Sequence, residues 1–434
     1  MGTLPKADKE REGMADELHL TATLNKPNVP VTSTQQLIYV LITAKPSEVV
    51  SRTRMSLNFG FVLDRSGSMR GAKIERLKGA MALALSKMAP DDLTSVTIFN
   101  DNAQVIAKGG ALTDHTGLLA KIQRVHASGG TQMSRGLSLG LREVYHQFSE
   151  DRVNQVLLLT DGQTYGDEAQ CLKLAKEAGE HKIAIQALGL GDDWNEDLLD
   201  QIGRLSGGDS DLIETADEIA PLFSQTVERS QKAIVRNAEM VLRLVSGVVP
   251  RQVWQVTPLI TNLGYTPIGQ QDVQVSLGEL DAVEGKALLV ELLLPPRREG
   301  RYRIAQAEVR YDLPARGISG ASARSDIILD YTTDAQAVRR YDPAIMNLVE
   351  KVTAYKLQTR AIEDARMGNV AGATRKLRAA ATRLLELGET ELAQAAQQEA
   401  DNLEREGQMS ASGTKKLRYQ TRKLTQKLPD LPEE

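Results

Sequence analysis

The chain has 434 residues, enough for two or three domains with real cores, and 41% apolar against 25% charged residues is ordinary globular composition. The 53 basic and 57 acidic side chains leave a net charge of −4, which gives no global reason to expect nucleic acid or an anionic membrane as partner. Apolar runs stay far below the roughly 20 residues of a membrane helix. The one cysteine, Cys171, excludes an internal disulfide and argues against a Cys-based zinc site.

The first 16 residues are polar, lack an apolar stretch and read as a leader without regular structure. No secretory signal is present there, so a cytoplasmic protein is the expectation. Residues 17–50 alternate Leu, Ile, Val and Thr, which predicts two strands joined by the turn KPNVPVTS.

Residues 51–236 change to alternating strands and helices. Strands are expected over 57–63, 95–99, 156–160 and 183–188, and helices over 73–88, 134–148, 168–181, 196–205 and 219–235. This alternation implies a doubly wound, mostly parallel α/β sheet with helices on both faces.

Over 237–335 the helices stop, and six strand-like segments follow one another between Gly and Pro turns, the signature of a β-sandwich. Six strands are few for a sandwich, and the two N-terminal strands can complete it. The expected arrangement is therefore an α/β domain inserted in one β domain; the alternative is an N-terminal hairpin packed on the α/β unit.

Residues 336–434 return to a helical pattern that starts at Asp342-Pro343 and is broken near Gly368, Gly388 and Gly407, predicting three or four helices packed as hairpins. The last of them carries Lys415, Lys416, Arg418, Arg422, Lys423 and Lys427 without an acidic residue. It reads either as a solvated face or as a docking site for an acidic partner.

The chemistry gathers at strand ends. The strand over 57–63 runs into Asp64-Arg65-Ser66-Gly67-Ser68, Gly129-Gly130-Thr131 precedes a helix, and the strand over 156–160 ends in Asp161-Gly162. In an open α/β sheet all three loops reach the carboxyl edge, where ligands bind. Asp64, Ser66, Ser68, Thr131 and Asp161 form an all-oxygen set of low charge, which suits Mg²⁺ best and admits Mn²⁺ or Ca²⁺. Two carboxylates only neutralise a dication, so an external anion finds an open position.

No His or Lys is placed by motif as a general base. His126 reads as a surface residue, and Arg65 and Arg70 flank the first loop, either solvated or facing acidic groups of a partner. Gly189-Leu190-Gly191 is a weak dinucleotide lookalike, since Asp192-Asp193 behind it would repel a pyrophosphate. Cys171 reads as a small buried apolar residue.

Over roughly 55–235 the chain closely resembles the von Willebrand factor A domain, on the segments FGFVLDRSGSM, SGGTQMSRGL, LLLTDGQ and ALGLGDDWNEDLLDQIG. Its D-x-S-x-S…T…D metal-ion-dependent adhesion site is matched in order by Asp64, Ser66, Ser68, Thr131 and Asp161. The resemblance implies a metal that accepts an Asp or Glu carboxylate of a partner protein, in a domain that binds rather than catalyses. In bacterial relatives such domains often accompany AAA+ ATPases or signalling proteins, which makes these candidate partners. Two other readings stay open: a metal-dependent phosphate-handling hydrolase, and a scaffold whose metal is purely structural.

Overall fold

The computed structural model describes residues 17–51 and 54–426, so the expected leader over 1–16 lies outside the described residues. The chain forms two units, one of residues 54–233 and one made from the segments on either side of it. In chain order the first elements are strands β1 (Leu18–Leu24), β2 (Asn28–Pro30) and β3 (Gln36–Pro46), then the short helix α1 (Glu48–Ser51). Strand β2 lies inside the segment expected to be only a turn: it pairs in parallel with a strand some 300 residues away, a partner that no local pattern announces.

The inner unit contains β4 (Ser56–Asp64), α2 (Ala72–Ser86), β5 (Leu93–Phe99), β6 (Ala103–Ala111), α3 (His115–Gln123), α4 (Met133–His146), β7 (Arg152–Thr160), α5 (Glu168–Glu180), β8 (Ala184–Leu190), α6 (Glu196–Ser206), β9 (Asp209–Ile213) and α7 (Ile219–Lys232). Its sheet has the order β6-β5-β4-β7-β8-β9 and is parallel except for the antiparallel edge strand β6. Strands β4 and β7 are almost wholly buried, as expected of strands covered by helices on both faces. From β4 the chain winds outward through β5 and β6, then returns to β7 and winds the other way. The direction reverses between β4 and β7, and the crevice at such a reversal is where open α/β sheets hold ligands.

Helix α4 lies unusually close to this sheet. A Cβ at Gly140 would stand 2.2 Å from Cγ2 of Val62, and one at Gly136 would stand 2.5 Å from the Phe99 ring, so the two glycines, one turn apart, admit the strands. Strands β6 and β9 and helix α3 were not expected from the sequence. Strand β6 is a half-exposed edge containing Gly109 and Gly110, and β9 is short and polar (DSDLI), so neither carries a strong apolar period. The helix expected to run to 235 ends at Lys232, and the chain passes directly into a strand at Ala233.

The outer unit continues with β10 (Ala233–Leu244), β11 (Val249–Thr257), β12 (Thr261–Asn262), β13 (Thr266–Ile268), β14 (Asp272–Asp281), β15 (Lys286–Leu294), β16 (Gly300–Leu313) and β17 (Ile318–Thr332). They form a five-stranded sheet, β1-β3-β15-β11-β12, and a six-stranded sheet, β13-β14-β10-β16-β17-β2. One apolar core joins them, with Val40, Ile42 and Val290 from the first sheet and Met240, Leu242 and Val309 from the second. The N-terminal segment is central to it, because β3 lies between β1 and β15.

Helices α8 (Pro343–Arg366), α9 (Val370–Glu386), α10 (Thr390–Glu406) and α11 (Ala411–Arg422) follow, with Gly368, Gly388 and Gly407 at their ends in positive φ. They cover the other face of the five-stranded sheet, where Leu41, Trp254 and Leu289 join Ile345, Leu348 and Val352 in one core. Glu291 on that face is buried and accepts hydrogen bonds from Lys356 Nζ (2.8 Å) and Trp254 Nε1 (3.3 Å). The basic last helix is not a plain solvated face, since Lys415 and Arg422 are buried. Among the described residues no helix is long and apolar enough to cross a membrane.

Candidate metal centre

Strand pairing brings the acidic residues together. Leu63 on β4 is in register with Leu159 on β7, so Asp64 and Thr160-Asp161 leave the sheet side by side. Both carboxylates are fully buried. Asp64 Oδ1 accepts from the Ser66 backbone N–H at 2.7 Å, and Oδ2 accepts from Thr160 Oγ1 at 2.6 Å. Ser68 Oγ donates to Asp161 Oδ1 at 2.6 Å and lies 3.0 Å from Ser66 Oγ. Thr131 arrives from the loop before helix α4: a Cβ at Gly162 would stand 3.4 Å from Ser68 Oγ and 3.5 Å from Thr131 Oγ1, so both hydroxyls flank that glycine. All five residues singled out in the sequence thus meet at the carboxyl edge, over the reversal between β4 and β7.

The loops are braced from behind. Gly67 N–H donates to Gly129 O, Arg65 N–H to Phe99 O and Ser128 N–H to Arg65 O, each at 2.8 Å. The pair Gly129-Gly130 has a local reason. Gly129 has φ +80°, Gly130 N–H donates to Asp101 Oδ2 at 2.8 Å, and a Cβ on either glycine would collide with the Asp101 carboxylate. The Thr164 hydroxyl lies 3.1 Å from Thr131 O and accepts from Met133 N–H at 3.2 Å, while Asp167 Oδ2 accepts from Ser134 N–H at 2.8 Å. These bonds fix where helix α4 begins, and therefore where Thr131 stands.

Electrostatics favour a cation. Burial is the main influence on Asp64 and, with the nearby Asp161 charge, pushes it up to about 6 against the opposing hydrogen bonds of Thr160 and Ser66. Asp64 has no cationic partner among the described residues, and a buried carboxylate in that state calls for a counter-charge. Asp161 already holds one, since Lys73 Nζ stands 2.6 Å from its Oδ2. The donors are two carboxylates and three hydroxyls, with no thiolate or imidazole, which fits a hard divalent cation in an incompletely filled shell. Among the described residues no three His, Cys, Asp or Glu side chains converge, so a closed carboxylate cage is not the arrangement.

Sequence reasoning missed Thr160, Lys73, Asp101 and Thr164. Lys73 alone gave a signal: it is the second residue of α2, at the helix end that disfavours cations. His126 is exposed. Arg65 bridges loops by reaching Ser128 Oγ (3.2 Å) and Asn100 Oδ1 (3.4 Å), whereas Arg70 is exposed. Gly189 has a packing role, because the Trp194 ring fills the space where its Cβ would be. Cys171 is buried, which raises its thiol pKa.

A doubly wound sheet that delivers two carboxylates and three hydroxyls to its switch point is an α/β domain with an oxygen-lined candidate site. The model of the von Willebrand factor type A domain matches residues 58–222, and that of the Sll0103-like, C-terminal alpha-helical domain matches residues 343–427. The uncharacterized protein sll0103 of Synechocystis sp. is 32% identical over 289 residues, covering 66% of this chain and 68% of that protein. The chain belongs to the von Willebrand factor type A domain proteins, and it carries the Sll0103-like C-terminal helical domain. Human inter-alpha-trypsin inhibitor heavy chain H6 is 27% identical over 224 residues, 47% of this chain but 16% of that protein. The von Willebrand factor type A structure from Catenulispora acidiphila, at 18% identity, superposes with a TM-score of 0.73 and covers 94% of this chain and 97% of that one, so the fold is shared over nearly the whole length. Domains of this family commonly bind a divalent metal at this site and often mediate metal-dependent protein interactions.

Proposed function

We propose that the chain is a divalent-metal-dependent protein-interaction module that binds rather than catalyses. Asp64, Ser66, Ser68, Thr131 and Asp161 hold the metal, directly or through water, and an Asp or Glu side chain of a partner protein completes its shell. The observation that carries this reading is the oxygen cluster itself: Asp64 and Asp161 are buried at the switch point, while Ser68 at its mouth is exposed. A metal held there reaches a ligand from outside, and two carboxylates leave it no spare negative charge. Mg²⁺ is the proposed ion, because a small cation that keeps several waters suits a site with few carboxylates. The outer unit serves as scaffold and offers further contact surface.

The test is a pull-down with the full chain as bait, in Mg²⁺ and in EDTA, beside the variant Asp64→Asn. A partner retained only by the wild-type protein in Mg²⁺ supports the reading. Equal capture by the variant, or in EDTA, refutes it.

A further inference from the structure

The ion pair between Lys73 and Asp161 joins residues 88 positions apart, and nothing in the secondary structure demands it. Lys73 is the second residue of α2, where unpaired N–H groups already concentrate positive potential and a lysine is locally unfavourable. Such violations of a local rule cluster at functional sites. Gly71, just before the helix, has φ +77°, the backbone that sends the chain sharply from the Ser68 loop into α2. The Lys73 side chain keeps 32% of its surface exposed while the Asp161 side chain has none. Lys73 is therefore the partly exposed partner of a buried carboxylate whose other oxygen accepts from the hydroxyl of Ser68.

We infer that Lys73 holds the centre one positive charge richer than its oxygen donors alone would, and so makes metal and partner carboxylate bind cooperatively. The inference rests on the metal-site reading above. The charged groups in contact within the cluster are Asp64, Asp161 and Lys73, a net charge of −1. A dication brings this to +1; without the lysine it would bring it to zero. The metal alone is then held weakly, because it meets a neighbouring ammonium. The metal-loaded centre in turn attracts a carboxylate that restores neutrality. By reciprocity, whatever factor the carboxylate adds to metal affinity, the metal adds to carboxylate affinity. Even at the dielectric of bulk water, a unit charge in contact with a carboxylate that holds a dication changes the affinity for that dication by about tenfold, so the effect is measurable.

The experiment is calorimetric titration of Mg²⁺ into the full chain and into Lys73→Met, each in sodium chloride and in sodium acetate of equal ionic strength, corrected for Mg²⁺–acetate association. Lys73→Gln serves as a second neutral variant should the first fail to fold, and Lys73→Arg keeps the charge. The expected result is Mg²⁺ affinity at least about tenfold higher in the neutral variants and near wild type in Lys73→Arg. Acetate should raise Mg²⁺ affinity in the wild-type protein more than in the neutral variants. Wild-type affinity and acetate response in a folded neutral variant would overturn the inference while leaving the site reading intact. No Mg²⁺ binding by any of the proteins would overturn both.

Discussion

The distance between helix α4 and the sheet is set by Gly140, and a single methyl group there tests how the fold positions Thr131. In Gly140→Ala the new Cβ would stand 2.2 Å from Cγ2 of Val62, well inside contact distance, and 3.6 Å from its Cβ. Val62 is fully buried and β-branched, so its methyl has few rotamers to escape into. Overpacking of this kind costs about 1–3 kcal/mol. Alanine returns about 0.5–1 kcal/mol through its better helix propensity. The net expectation is a loss of about 1–2 kcal/mol. Because α4 begins two residues after Thr131, its outward displacement also loosens the Thr131 loop and weakens Mg²⁺ binding. Val62→Ala alone leaves a cavity and destabilises by about 2 kcal/mol. Combined with Gly140→Ala, the added methyl occupies part of the space that the valine vacates, so the double variant should be more stable than the sum of the singles by at least about 1 kcal/mol. Urea unfolding of the four proteins, with Mg²⁺ titration of each, measures both effects. Additive stabilities, or a Gly140→Ala protein as stable as wild type, would refute the packing argument.

Three further outcomes are expected. Asp64→Asn should abolish the rise in melting temperature that Mg²⁺ gives the wild-type protein, yet in EDTA it should melt no lower, because it removes a buried charge with no cationic partner among the described residues; a lower melting temperature in EDTA would contradict this account. Burial pushes Glu308 upward, but the hydrogen bonds and charges of Arg243 (2.5 Å) and Arg324 (2.7 Å) outweigh it and hold the carboxyl at about 2. A depressed carboxyl contributes stability that is present above its unfolded pKa near 4.5 and is lost as pH falls towards 2, so melting of Glu308→Gln should depend less on pH across that window, and an unchanged acid limb would count against the pairing. A fragment of residues 234–426 lacks β1 and β3 and leaves β15 as an open edge, so it should aggregate, whereas 17–51 fused to it through a short Gly/Ser linker should melt cooperatively; a soluble, cooperative 234–426 fragment would overturn the role given to β3.

What the sequence alone determined is what short-range chemistry encodes. The apolar runs that end in Asp64 and Thr160-Asp161, the Gly129-Gly130-Thr131 turn, and the glycines that stop α8, α9 and α10 each act within a few residues, and a doubly wound sheet followed from their alternation. Given that sheet, the five oxygen donors had to share one edge, so the centre was legible in the sequence. Tertiary structure decided what depends on pairs far apart in the chain. Thr160 becomes a partner of Asp64, 96 residues away, only because β4 and β7 are adjacent, and Lys73 finds Asp161 across 88 residues against its own helix-end preference. Strand β2 exists only through β17, and β6 is held by β5 although its glycines and half-exposed face give it little apolar pattern. In each of these cases the deciding free energy belongs to a contact between distant segments, and a local window contains only one of the two partners.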